Sequence, residues 1–178
     1  MRYLTLLRGI NVSGKNPIKM KEFQAYLQES GFENVKTYIQ SGNIVFDDKV
    51  DENGAIAKKI SDLIKDRYDY DVIVFVLNLK NLKEIIKNNP FETDAEAHPN
   101  KVFVSFLSAV PKDELVQKFS LVEYKTEKYN IQGEYAYLSC LEGIGKAKIN
   151  NNYFESKLKV DATTRNWKTV LKLYEMMQ

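Results

Sequence analysis

The sequence predicts an α+β fold made of two antiparallel plait halves, and three observations predict it. Apolar runs of strand length alternate with segments whose apolar residues recur at helical spacing. The element order over residues 1–78 reads βαββαβ, and residues 79–178 come close to βαββα. An apolar content of 44% in 178 residues suits one domain or two small halves sharing a core, and excludes global disorder.

In the first half, residues 3–7 form a short apolar run that ends at Arg8-Gly9. Met20, Phe23 and Leu27 recur at helical spacing, and Gly31 is placed to stop that helix. Residues 35–39 and 44–46 read as strands around Ser41-Gly42-Asn43, a turn that suits Gly at positive φ and Asn. Ile56, Ile60, Leu63 and Ile64 mark a second amphipathic helix. Residues 72–77 are continuously apolar and read as a strand buried on both faces.

In the second half, Leu79, Leu82, Ile85 and Ile86 predict a short helix and residues 90–99 an acidic loop. Residues 102–107 read as a strand, and Pro111 starts a helix that runs to about Phe119. Residues 122–131 and 134–141 read as a hairpin around Gln132-Gly133. A loop over 143–161 follows, with a short extended piece near Tyr153. The last helix opens over residues 161–168, capped by Asp161, Thr163 or Thr164. It carries Trp167, Val170, Leu171 and Tyr174 at helical spacing, which reads as core. Each half is thus a ferredoxin-like unit or nearly so, with mainly antiparallel sheets. Residues 1–78 and 79–178 are expected to pack as one globular unit, without a sequence repeat between them.

Composition removes several function classes. One Cys excludes an intramolecular disulfide framework. Cys140 and His98 are the only soft ligands, too few for a structural zinc site. No apolar run approaches the roughly 18 residues that a membrane span needs. The N-terminal apolar stretch is short and no A-x-A-like site follows, so a signal peptide is not expected. The expectation is a soluble cytoplasmic protein with no metal, no cofactor and no membrane partner. Oligomeric state and catalytic residues are left open.

Charge is distributed unevenly. The chain has 22 Lys but only four Arg: Arg2, Arg8, Arg67 and Arg165. Arg presents a planar fork suited to carboxylate and phosphate, so an Arg in a loop is the more informative cation. Residues 1–46 carry +3 and residues 143–172 carry +5, against a chain total of +2. A basic zone beside an acidic remainder fits a local anion site better than a general nucleic-acid coat.

Residues 8–16, Arg-Gly-Ile-Asn-Val-Ser-Gly-Lys-Asn, join a strand to a helix. Gly9, Gly14 and Lys15 give G-x-x-x-x-G-K, one residue short of a phosphate-binding loop. Asn16 lacks the hydroxyl that such a loop offers to Mg²⁺, and Pro17 removes a backbone donor. That loop also belongs to parallel sheets, so nucleotide hydrolysis is not the expected activity. Lys15, Lys19 and Lys21 nevertheless surround a helix start, and Arg165 and Lys168 fall in the expected first turns of the last helix. Cations there oppose the helix dipole, and helix starts bind anions. Lys19 and Lys21 read as solvated. The candidate ligand-binding set is Arg8, Asn11, Lys15, Ser41, Asn43, Arg165 and Asn166, for a phosphate-bearing or nucleotide-like small anion.

Residues 7–16 with 18–20, residues 37–43 and residues 164–169 together resemble the bacterial family called domain of unknown function 1697. Ser13 stands where many members are expected to have Gly. The resemblance implies an α+β fold of two plait-like halves and no assigned reaction, substrate or cofactor. It also suggests that the three motifs matter together.

Two other function classes compete. Residues 102–107 and 135–138 resemble the aromatic signatures of RNA-recognition plaits, with Phe103, Tyr135 and Tyr137 as stacking residues. Glu123, Glu127 and Glu134 on the hairpin disfavour RNA. In the remaining reading, a structural or interaction module, Arg8 and Arg165 only hold the halves together. His98 reads as a solvated turn residue and Cys140 as a buried, inert thiol. Asp47, Asp48, Asp51 and Glu52 could attract a cation, but a solvated loop leading into a helix explains them as well.

Overall fold

The computed structural model describes residues 1–12, 14–50 and 52–178. The Ser13 departure and the Asp51 reading therefore lie outside the described residues. The chain divides into two compact units, residues 1–84 with 173–178, and residues 85–172.

The first plait runs β1 (Arg2–Leu7), α1 (Met20–Glu29), β2 (Glu33–Tyr38), β3 (Asn43–Asp47), α2 (Asn53–Tyr68) and β4 (Val74–Asn78). Its sheet has the order β2-β3-β1-β4, with β1 antiparallel to both β3 and β4. Met20, Phe23 and Leu27 of α1 and Ile56, Ile60 and Ile64 of α2 pack with Tyr3, Leu7, Ile44 and Phe46 of the sheet. Each such side chain contributes about 1.5–3 kcal/mol when fully buried. Glu52 caps α2, accepting from the Gly54 N–H at 2.9 Å. Gly31 at φ 93° lets the chain turn after α1.

One strand reading is corrected. β4 is an edge strand that alternates: Phe75 and Leu77 are buried, while Val74 and Val76 are half-exposed. An unbroken apolar run therefore does not require a central position.

The second unit completes the same plait: β5 (Val102–Leu107), α5 (Asp113–Ser120), β6 (Lys128–Gln132), β7 (Tyr135–Ser139), α6 (Asn151–Leu158) and β8 (Ala162–Asn166). The sheet order β6-β7-β5-β8 repeats that of the first, again antiparallel. α3 (Leu79–Lys87) and α4 (Glu92–Ala97) precede it, and α7 (Trp167–Met177) follows.

Several expectations fail here for physical reasons. The acidic loop contains α4, whose Glu92 and Asp94 lie in the first turn where the helix dipole favours acids, and whose Ala95 is buried. Pro111 precedes α5 rather than starting it. Residues 122–127 stay outside the hairpin, because β6 begins only at Lys128. The expected loop over 143–161 contains α6, so Tyr153 is helical rather than extended. Asn150 caps this helix by accepting from the Tyr153 N–H at 3.0 Å, and Phe154 and Leu158, four residues apart, are buried.

The largest correction concerns the last helix. Residues 162–166 form β8, which pairs with β5 from Phe103↔Asn166 to Leu107↔Ala162. Backbone pairing on an open sheet edge and two adjacent β-branched residues, Thr163 and Thr164, outweigh the capping pattern. α7 then buries Trp167, Val170, Leu173 and Met177, while Leu171 is 37% exposed.

Candidate functional site

In the first unit the strand-to-helix loop is fastened on several sides. The Leu7 N–H donates to the Gly42 carbonyl at 2.8 Å, and the Arg8 N–H donates to the Ile73 carbonyl at 3.0 Å. The Asn11 amide donates to the carbonyls of Ile18 and Gln40, both at 2.8 Å, and accepts from the Ile18 N–H at 2.8 Å. Asn16 donates to the Gly9 carbonyl at 3.2 Å. Gly9, Asn11, Gly14 and Asn16 all have positive φ, a region that Gly reaches without strain and Asn tolerates.

The first two sequence motifs therefore meet within this unit. Asn11 links the loop to the turn between β2 and β3, and Gly42 in that turn sits against Leu7 and Ile10. Asn43 is fully buried and donates to the Tyr38 carbonyl at 3.0 Å and to the Ser41 hydroxyl at 2.9 Å. Asn11 and Asn43 thus build the loops themselves. Ile39 is 51% exposed at φ 50°, an unusual conformation for a β-branched residue, and it adjoins Gln40 at this junction. Ile39 and Gln40 lie within the motif at residues 37–43, but the strain at Ile39 becomes visible only from the backbone.

The cations differ in their surroundings. Arg8 is half-buried at the base of the loop. Lys15 is exposed and makes no ion pair among the described residues. Lys19 pairs with Glu22 at 3.0 Å. Lys19 is also the N-cap residue of α1 and provides no side-chain cap, so the first N–H groups of the helix have no side-chain acceptor from that position.

Arg165 occupies a different setting from the expected helix start. It lies in β8 opposite Val104 and is buried. Its guanidinium donates to the Thr163 hydroxyl and the Thr164 carbonyl, both at 2.9 Å. Burial pushes its pKa down to about 10. Asn166 caps α7 by accepting from the Thr169 N–H at 2.8 Å. Lys168 alone keeps a place in the first turn of α7, exposed to solvent.

The aromatic platform is not assembled. Phe103 pairs with Leu138 and packs in the core beneath α5 and α6, whereas Tyr137 pairs with Val104 on the opposite face of the sheet. Tyr137 is buried, donates to the Ile85 carbonyl at 3.0 Å, and burial pushes its phenol up to about 12. Tyr135 remains half-exposed. Glu127 is buried rather than lining the hairpin surface, and accepts from the N–H groups of Lys148 at 2.7 Å and Ile149 at 2.9 Å.

His98 is exposed at the end of α4. Cys140 is buried, and burial pushes its thiol up to about 11. Among the described residues no group of three or more His, Cys, Asp or Glu could hold a metal ion. Asp47 is instead bound by Arg2 at 3.0 Å and Asn34 at 2.7 Å. No helix among the described residues is long and apolar enough to cross a membrane.

Fold and loop together define an α+β protein of two antiparallel ferredoxin-like plaits whose first crossover is held by its own side chains. Residues 1–137 match the family described as protein of unknown function (DUF1697), and the chain belongs to that family. The third motif, at residues 164–169, lies beyond the matched stretch. Among solved structures the chain is similar to the conserved bacterial protein SP0830 from Streptococcus pneumoniae. The two are 26% identical with a TM-score of 0.73, over 99% of this chain and 98% of that one. Comparison with curated proteins finds no match.

Proposed function

We propose that the protein binds a small phosphate-bearing or nucleotide-like anion at the loop between β1 and α1. The supporting observation is a helix start without a side-chain cap, reached through a fastened loop whose Lys15 makes no ion pair among the described residues. The first N–H groups of α1 and Lys15 would hold the charged oxygens, since a helix N-terminus already attracts anions and a nearby cation strengthens the attraction. Arg8 would contribute a second cation from the base of the loop, and Ser41 a neutral hydrogen bond from the neighbouring turn. Asn11 and Asn43 act by holding these groups in place. Arg165 and Asn166 carry no weight in this reading, because the strand β8 and the start of α7 account for their positions.

Thermal melting in the presence of inorganic phosphate, ribose 5-phosphate and AMP tests the reading, with chloride at matched ionic strength as control. At least one of these anions is expected to raise the melting temperature by a few degrees, by mass action on the folded state. Lys15→Ala should reduce that rise by half or more while leaving the unliganded melting temperature nearly unchanged. A panel without any stabilisation, or a Lys15→Ala variant stabilised as strongly as the parent, would overturn the proposal.

A further inference from the structure

A cavity of about 330 Å³ opens in the second unit, and the motif at residues 164–169 reaches it through Trp167. Its volume lies within the range of small-molecule sites. Ile86, Leu171 and the indole of Trp167 line it with apolar surface. Its polar lining consists of Asn89, Glu92 and Glu96, and no Lys or Arg lines it.

The two carboxylates lie one turn apart on α4, where like charges repel. Neither has an ion-pair partner among the described residues. Asn89 uses its carbonyl oxygen to accept from the Phe91 N–H at 3.0 Å, but its buried Nδ2 has no hydrogen-bond partner. That Nδ2 is enclosed, so it is closed to the cavity as well. The cavity thus combines net negative charge with an aromatic wall that favours cations.

We propose that this cavity binds a small organic cation, an ammonium group on a hydrocarbon body. The ammonium would sit between Glu92 and Glu96, and the hydrocarbon against Trp167 and Leu171. The site is separate in chemistry from the anion loop, so either proposal can fail without the other.

Trp167 is the only tryptophan in the chain, so its fluorescence reports this cavity directly. The probes are L-phenylalaninol, which has both the ammonium and the oxygen; 2-phenylethylamine, which lacks the oxygen; and 3-phenyl-1-propanol, which lacks the charge. L-phenylalaninol is expected to change the emission saturably, and the neutral alcohol to bind at least tenfold more weakly. Glu92→Gln combined with Glu96→Gln, both at exposed positions, should weaken L-phenylalaninol at least tenfold without altering the circular dichroism spectrum. 2-Phenylethylamine should bind with an affinity comparable to that of L-phenylalaninol, because the ammonium and the hydrocarbon carry the recognition. No saturable response to L-phenylalaninol, equal binding of the neutral alcohol, or unchanged affinity in the double variant would overturn the proposal.

Discussion

The two plaits share one topology but lengthen different crossovers. In the first, residues 8–19 separate β1 from α1, whereas the equivalent connection in the second spans only residues 108–112. The relation reverses at the other crossover, where residues 48–52 link β3 to α2 and residues 140–150 link β7 to α6. Each long connection is anchored by a polar side chain: Asn11, half-buried, in the first unit and Glu127, buried, in the second. Sheet pairing and apolar burial therefore specify the common frame, and polar side chains help to hold each departure from it. Long loops held this way commonly carry function, because a rigid scaffold fixes where their side chains point.

The hairpin turns offer the sharpest contrast between the units. Gly42 and Gly133 both have positive φ, at 76° and 58°. A Cβ on Gly42 would lie 2.7 Å from Leu7 Cβ and 2.9 Å from Ile10 Cδ1, whereas a Cβ on Gly133 would meet nothing within 4 Å. Gly42→Ala combines backbone strain with overpacking and is expected to cost about 3 kcal/mol. Gly133→Ala carries only the strain, about 1 kcal/mol. Urea denaturation of both variants checks this, and equal losses would remove the packing difference between the turns.

Removing the second unit's anchor should have the next largest effect. Glu127→Ala leaves the N–H groups of Lys148 and Ile149 without their acceptor and is expected to cost about 2 kcal/mol. Glu127→Gln retains an amide oxygen and should cost less. Hydrogen exchange at Lys148 and Ile149 would show whether the loss is confined to this connection.

The smallest effect belongs to the surface of the first unit. Arg2→Ala removes an ion pair whose partners are partly exposed, so a loss below about 1 kcal/mol is expected at neutral pH. The hydrogen bond from Arg2 is the main cause that holds the Asp47 carboxyl below its ordinary range. A lowered carboxylate pKa stabilises the fold above the unfolded value, and that stabilisation disappears as pH falls through the folded value. The difference between parent and Arg2→Ala should therefore shrink in acid, in denaturation curves taken across the carboxylate range.

Much of the frame was legible from apolar spacing alone. Met20, Phe23 and Leu27 face the core as their period requires, and Gly31 turns the chain where expected. The family resemblance was also legible, carried by loop residues such as Asn11 and Gly42 together with core residues such as Leu7, Ile18 and Met20. The errors cluster where local signals compete. Residues 161–168 carry caps and helical spacing, yet Thr163 to Asn166 complete a sheet edge that only β5 can offer. Tyr153, Phe154 and Leu158 carry a helical period that the Asn-rich stretch before them obscured. The set Asn89, Glu92, Glu96 and Trp167 was not legible at all, since α4 and α7 meet one cavity across a long span of chain.

By itself the sequence determined the fold class, the count of apolar strands in the first half and the positions where the backbone must turn. Those properties follow from side-chain periodicity and steric preference, which act over a few residues. Only the tertiary structure decided that Arg165 belongs to a strand, that Asn11 and Asn43 are spent on their own loops, and that two acids and one indole share a cavity. Such outcomes depend on hydrogen-bond partners and packing surfaces supplied by distant segments, and no local pattern encodes them.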